Sequence, residues 1–143
     1  MTVSAILSDK GGTVFTERKE TSIAEACAEL ARRRIGAVII TDGDDKVVGI
    51  LSERDIVRRL AQHGAAVLDM TVGDCMTKEV ETCRREDSIP DVMARMTNGR
   101  FRHFPVVEGG RLVGVISIGD VVKHRIEEAE QEAAHIREYI TMS

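Results

Sequence analysis

Two serines stand three residues ahead of an aspartate at matched places. One pair, Ser52 and Asp55, lies in GILSERD (49–55); the other, Ser117 and Asp120, lies in GVISIGD (114–120), 65 residues later. Each serine ends an apolar, strand-like run and begins a helix-like one. A hydroxyl there, beside the free N–H groups of a helix start, suits a phosphate. An aspartate one turn further on can accept two hydrogen bonds from the cis hydroxyls of a ribose. The same residues also make a helix cap, with serine accepting a backbone N–H and an acid meeting the helix dipole. A single copy does not separate these readings. Recurrence after an apolar strand in both places points to one shared job, and Gly49 and Gly114 admit close packing there.

The elements that position these residues are repeated too. VFTERKETSIAEACAELARRRIGAVIIT (14–41) lies on VETCRREDSIPDVMARMTNGRFRHFPVV (80–107) with an offset of 66 and no gap, Arg34 falling on Arg100. The offset drops to 65 where TDGDDK is one residue longer than VEGGR, as a hairpin turn allows. TVFT and EVETC read as short strands, and Ser22 and Ser88 as helix N-caps. Pro90 suits a first helical turn. Ile23, Ala26, Cys27 and Leu30 mark one helical face, with Ile89, Val92, Met93 and Met96 as its repeat. Gly36 and Gly99 read as helix stops. AVIIT and FPVVE predict strands covered on both faces, and KVVGILS and RLVGVIS predict the strands that follow. The result is a mixed α/β (α+β) fold of two tandem β-α-β-β-α units, residues 3–63 and 69–126, packed as a pseudo-two-fold pair. Units this small are expected to share one core. Residues 127–143 form a Glu- and Ala-rich helical tail with an apolar stripe at Ile126, Ala129, Ala133, Ile136 and Ile140.

This duplicated unit, with VVGILSERDIV and LVGVISIGDVV at matched places and RHFPVVE in the second copy, resembles the cystathionine β-synthase (CBS) domain pair, or Bateman module. The resemblance covers residues 3–126. It implies a regulatory module that binds adenine nucleotides in clefts between its repeats: AMP first, with ATP, ADP or NAD(H) at the second cleft. On that resemblance Asp55 and Asp120 hold ribose, and Ser52 and Ser117 contact phosphate. The segments Val14–Thr16 and Val80–Thr82 line the adenine pocket, and Arg102 and His103 bring positive charge to phosphate. It further implies a homodimer and a regulated protein partner as yet unidentified. The alternative is an interaction module with vestigial clefts, in which the C-terminal helix does the work.

The copies differ where phosphate would be met. Gly36-Ala37 stands in the first copy where Arg102-His103 stands in the second, and Ile39 where Pro105 stands. The first copy instead carries Arg54, Arg58 and Arg59 around its aspartate, against Gly119 and Lys123 at the positions of Arg54 and Arg58. The two clefts are therefore expected to be unequal.

The remaining features exclude other classes. A formal charge of −4 argues against nucleic acid as the main partner, and Arg32-Arg33-Arg34 reads as cations at a helix C-terminus. No apolar run approaches the ~18 residues of a membrane span, and no signal-peptide pattern opens the chain; the expected location is the cytoplasm. Cys27, Cys75 and Cys83 lack metal-site spacing and read as structural. No nucleophile–base constellation appears, so an enzyme is not expected. His103, beside Arg102, is a better ligand candidate than His63, His124 or His135. DKGG (9–12) lacks the ending of a phosphate-binding loop and reads as a flexible turn.

Overall fold

A computed structural model describes residues 1–99 and 101–142 of the chain. The elements run α1 (Val3–Lys10), β1 (Thr16–Glu17), α2 (Ile23–Arg33), β2 (Ala37–Thr41), β3 (Val47–Ser52), α3 (Glu53–His63), a 3-10 segment (Gly64–Asp69), α4 (Val72–Cys75), α5 (Ile89–Gly99), β4 (His103–Glu108), β5 (Arg111–Ser117) and α6 (Ile118–Met142). Each repeat contributes an antiparallel hairpin, β2–β3 or β4–β5, and β1 pairs in parallel with β2. No helix among the described residues is long and apolar enough to cross a membrane.

The helix starts follow the sequence. Ser22 and Ser88 accept the N–H of Glu25 and Asp91, each at 3.2 Å, and Ser52 caps α3 as Ser117 caps α6. One predicted stop differs. Helix α2 ends at Arg34, in the left-handed region at φ 55°, and its N–H returns to Leu30 and Ala31; Gly36 is not used. The αL turn normally favours glycine, but here Ile35 N–H also closes on the Leu30 carbonyl at 3.1 Å. Gly99 is the last residue of α5, and Arg100, the expected counterpart of Arg34, lies outside the described residues.

The expected strand at EVETC is reduced to a single parallel bridge between Cys83 and Val106. Cys83 N–H and carbonyl pair with Pro105 and Val107, so one residue of edge pairing replaces a strand. The common core is also corrected: there are two. One holds Ile23, Leu30, Val38, Ile40, Leu51, Val72 and Cys75; the other holds Val3, Ile6, Leu7, Ile89, Val92, Met96, Phe104 and Ile116. Helix α1, from the chain start, thus completes the core of the second repeat, while α4 completes that of the first. Each small unit gains apolar area from a helix that pins it to the chain of the other. The hairpins also touch, Leu112 N–H donating to the Asp45 carbonyl at 3.2 Å.

The exchanged helices explain the repeated glycine. A Cβ at Gly49 would stand 2.5 Å from Met76 Sδ after α4, and one at Gly114 would stand 2.6 Å from Leu7 Cδ2 in α1. The tail continues α6 without a break. Cys75 and Cys83 are buried and Cys27 is half-buried, all as free thiols. Burial raises each thiol, and Cys83, with Asp87 adding to the effect, is pushed up to about 12.

Candidate functional site

Both Ser-x-x-Asp phrases fold as strand–cap–helix junctions. In the first, Ser52 Oγ accepts the Asp55 N–H at 3.2 Å, and Asp55 Oδ2 accepts Ser52 N–H and Oγ–H, each at 3.0 Å. Its other oxygen, Oδ1, accepts the Thr77 hydroxyl at 3.2 Å. Asp55 is 8% exposed. In the second, Ser117 Oγ accepts the Asp120 N–H at 3.2 Å and Ser117 N–H donates to Asp120 Oδ2 at 2.8 Å. That same Oδ2 takes the Lys10 ammonium at 2.7 Å. Oδ1 of Asp120 is left without a hydrogen-bond partner among the described residues.

Lys10 comes from the end of α1, within DKGG. The sequence reads that stretch as a turn, but the helix runs through Lys10 and only Gly11, at φ 87°, ends it. The ammonium is held twice, by Asp120 and by the Val115 carbonyl at 3.0 Å. Burial alone would raise the Asp120 carboxyl; Lys10 and Ser117 outweigh it and hold the group below the usual carboxylate range.

His103 pairs with Ser117 across β4–β5. Burial first, then the cations Lys10 and Arg102, push its imidazole below the ordinary value against the pull of Asp120 and Glu53. These five groups come from α1, β4, α6, α3 and the residue before β4, so they face one electrostatic neighbourhood that joins the two repeats. The cations beside it are Arg102, which is exposed, and Lys10. In the first repeat the place of Arg102-His103 is taken by Gly36-Ala37, and the Glu53 carboxylate lies over Gly36, 3.7 Å from where a Cβ would stand.

The other expected residues are spread more widely. Thr16 is exposed on β1, paired with Ile39 of β2. Arg54 is exposed in the first turn of α3. Val80 is half-buried and Thr82 exposed, and the Thr82 carbonyl accepts from Arg95 at 2.6 Å. Pro105 is buried in β4, its carbonyl taken by Cys83 N–H at 3.0 Å. The groups that spacing alone did not single out are Lys10, Thr77 and Glu53. The signal for Thr77 was present: TVGDCMT (71–77) and TVSAILS (2–8) are themselves a repeat, read with the exchanged helices.

A cavity of about 400 Å³ opens on the α1–α6 side of Asp120, lined by Ile6, Asp9, Lys10, Lys123, His124 and Glu127. Donor atoms of Asp9, His124 and Glu127 lie within 4.8 Å of one another and are the groups a divalent ion would use, with Lys10 and Lys123 competing for that role. A second groove, of about 600 Å³, lies at the far end of β2 and β3 among Arg18, Thr41, Asp42, Asp74 and Lys78, and contains neither motif.

The model of the CBS domain matches twice, at residues 12–62 and 72–127. The chain belongs to the CBS-domain family. As a CBS pair it is similar to a CBS-domain-containing protein of Agrobacterium tumefaciens, with 48% identity and a TM-score of 0.85 over 87% of this chain and 99% of that one. It is similar to the CBS domain pair of protein MJ0100, solved with 5′-methylthioadenosine and S-adenosyl-L-methionine, with 27% identity and a TM-score of 0.80 over 90% and 98% of the two chains. A CBS domain protein of Pyrobaculum aerophilum, solved with AMP, gives 30% identity and a TM-score of 0.74 over 84% and 89%.

Proposed function

We propose that this CBS pair is a regulatory module that binds an adenine nucleotide, AMP first, and that its second cleft, built on Ser117 and Asp120, is the principal site. The observation that carries the reading is the free Oδ1 of Asp120. Asp55 has an internal partner on each oxygen and is buried, whereas Asp120 keeps one oxygen for a ribose. That adenosyl ligands occur in the related MJ0100 and Pyrobaculum structures supports the ligand class. Arg102 and His103 are the groups for phosphate. ATP, ADP and NAD(H) are the longer ligands of the same class. Ligand bound between the repeats biases their relative packing, and a partner protein reads that bias; no catalytic step is assigned.

The exposed apolar row on α6, Ile118, Val122, Ile126 and Ile136, supports a homodimer through that helix. The test of the function is thermal unfolding with AMP, ATP, ADP and NAD(H). Ligand at ~100-fold its Kd stabilises by about 2.7 kcal/mol. AMP is expected to raise the unfolding temperature; no shift with any adenine nucleotide overturns the reading.

A further inference from the structure

The two lobes satisfy one strand carbonyl and one carboxylate in different ways. In the first lobe, Thr77 does both: its N–H donates to the Ile50 carbonyl at 2.9 Å and its hydroxyl to Asp55 at 3.2 Å. Ile50 and Asp55 correspond to Val115 and Asp120, 65 residues later. There the ammonium of Lys10 makes both bonds, at 3.0 Å to Val115 and 2.7 Å to Asp120. The helix that reaches this point stops at Cys75 in one lobe and runs on to Lys10 in the other. Two neutral donors have thus been replaced by one cation, held in place by Val3, Ile6 and Leu7 in the core.

We infer that Lys10 sets the charge of the ligand: the second cleft takes adenosyl ligands bearing a 5′-phosphate in preference to uncharged ones. The inference rests on the nucleotide reading of that cleft. Lys10, Arg102 and Lys123 there stand against Asp9, Glu53, Asp120 and Glu127, so Lys10 is one of three cations offsetting four carboxylates around an arriving phosphate. Without Lys10 the excess of negative charge grows, which repels phosphate and leaves a neutral adenosine unaffected. At the effective dielectric of a protein surface, a unit charge several ångströms away is worth more than a tenfold change in affinity. Ribose binding survives in either case, because Lys10 uses Oδ2 of Asp120 and not Oδ1.

Calorimetric titration of AMP and of adenosine into the wild type, Lys10→Met and Lys10→Arg separates this role from a structural one. A structural lysine would weaken both ligands alike. The expected result is a fall of at least about tenfold in the AMP-to-adenosine affinity ratio in Lys10→Met, and retention of the ratio in Lys10→Arg. The wild type alone gives a second readout: AMP affinity is expected to fall with ionic strength while adenosine affinity does not. An unchanged ratio in Lys10→Met, or equal salt dependence of the two ligands, overturns the role of Lys10 alone. Failure of both ligands to bind the wild type overturns the nucleotide reading, and this inference with it.

Discussion

An ionised carboxylate offers about four lone-pair sites, and Asp55 spends three of them on Ser52 and Thr77 while Asp120 spends two on Ser117 and Lys10. Identical motifs therefore carry different duties, decided by a residue 22 positions after one aspartate and 110 before the other. The motif residues and their caps were legible because they repeat. The faint repeat of 2–8 at 71–77 marks the segment that carries Thr77, but the contacts of Lys10 and Thr77 with the aspartates were not legible, since they arise only when α1 and α4 cross to the other lobe. The pH behaviour of Asp120 follows from the same contacts. Its carboxyl lies below the ordinary range, so its stabilising contribution is complete above about pH 4, the unfolded value, and is lost as pH falls through its own lower one. Lys10→Met removes the main opposing cation and leaves only Ser117 against burial, so the carboxyl rises toward its unfolded value and the contribution of Asp120 shrinks. That variant is expected to be less stable near neutral pH and to lose less stability between neutral pH and acid than the wild type; an equal acid-dependent loss would contradict the Lys10–Asp120 contact.

Among the elements, the strand–helix junctions are read well from sequence because capping is local: Ser22, Ser88, Ser52 and Ser117 each meet an N–H three residues on. The edges are read less well. EVETC has strand composition, yet only Cys83 finds a partner on β4. Arg34 takes a left-handed turn that sequence assigns to a glycine. The glycines of the central strands are set by the helix laid on each. At Gly114 an alanine methyl would press on Leu7, which is 6% exposed in the core, and at Gly49 on Met76 and on the Thr77 backbone carbonyl, 3.0 Å away, which cannot swing aside. Gly114→Ala and Gly49→Ala are each expected to cost roughly 1–3 kcal/mol, as overpacking does. Chemical unfolding of both variants checks this; negligible losses would remove the packing explanation.

At the scale of the whole molecule, two lobes with separate cores are held together by exchanged helices. The duplication and its order were legible in the sequence; the exchange was not, because the first ten residues carry only a weak echo of 71–79. The α6 row that includes Ile126, 53% exposed, and Ile136, 60% exposed, is apolar surface of the kind a second copy covers. Sedimentation is expected to find a dimer at micromolar concentration, and a stable monomer there would remove that assembly. The central claim concerns which aspartate binds. Calorimetric titration of AMP into the wild type, Asp55→Asn and Asp120→Asn tests it most directly. The account predicts that Asp120→Asn abolishes the dominant binding event while Asp55→Asn lowers stability and keeps it; equal loss in both variants, or loss in Asp55→Asn alone, would contradict it.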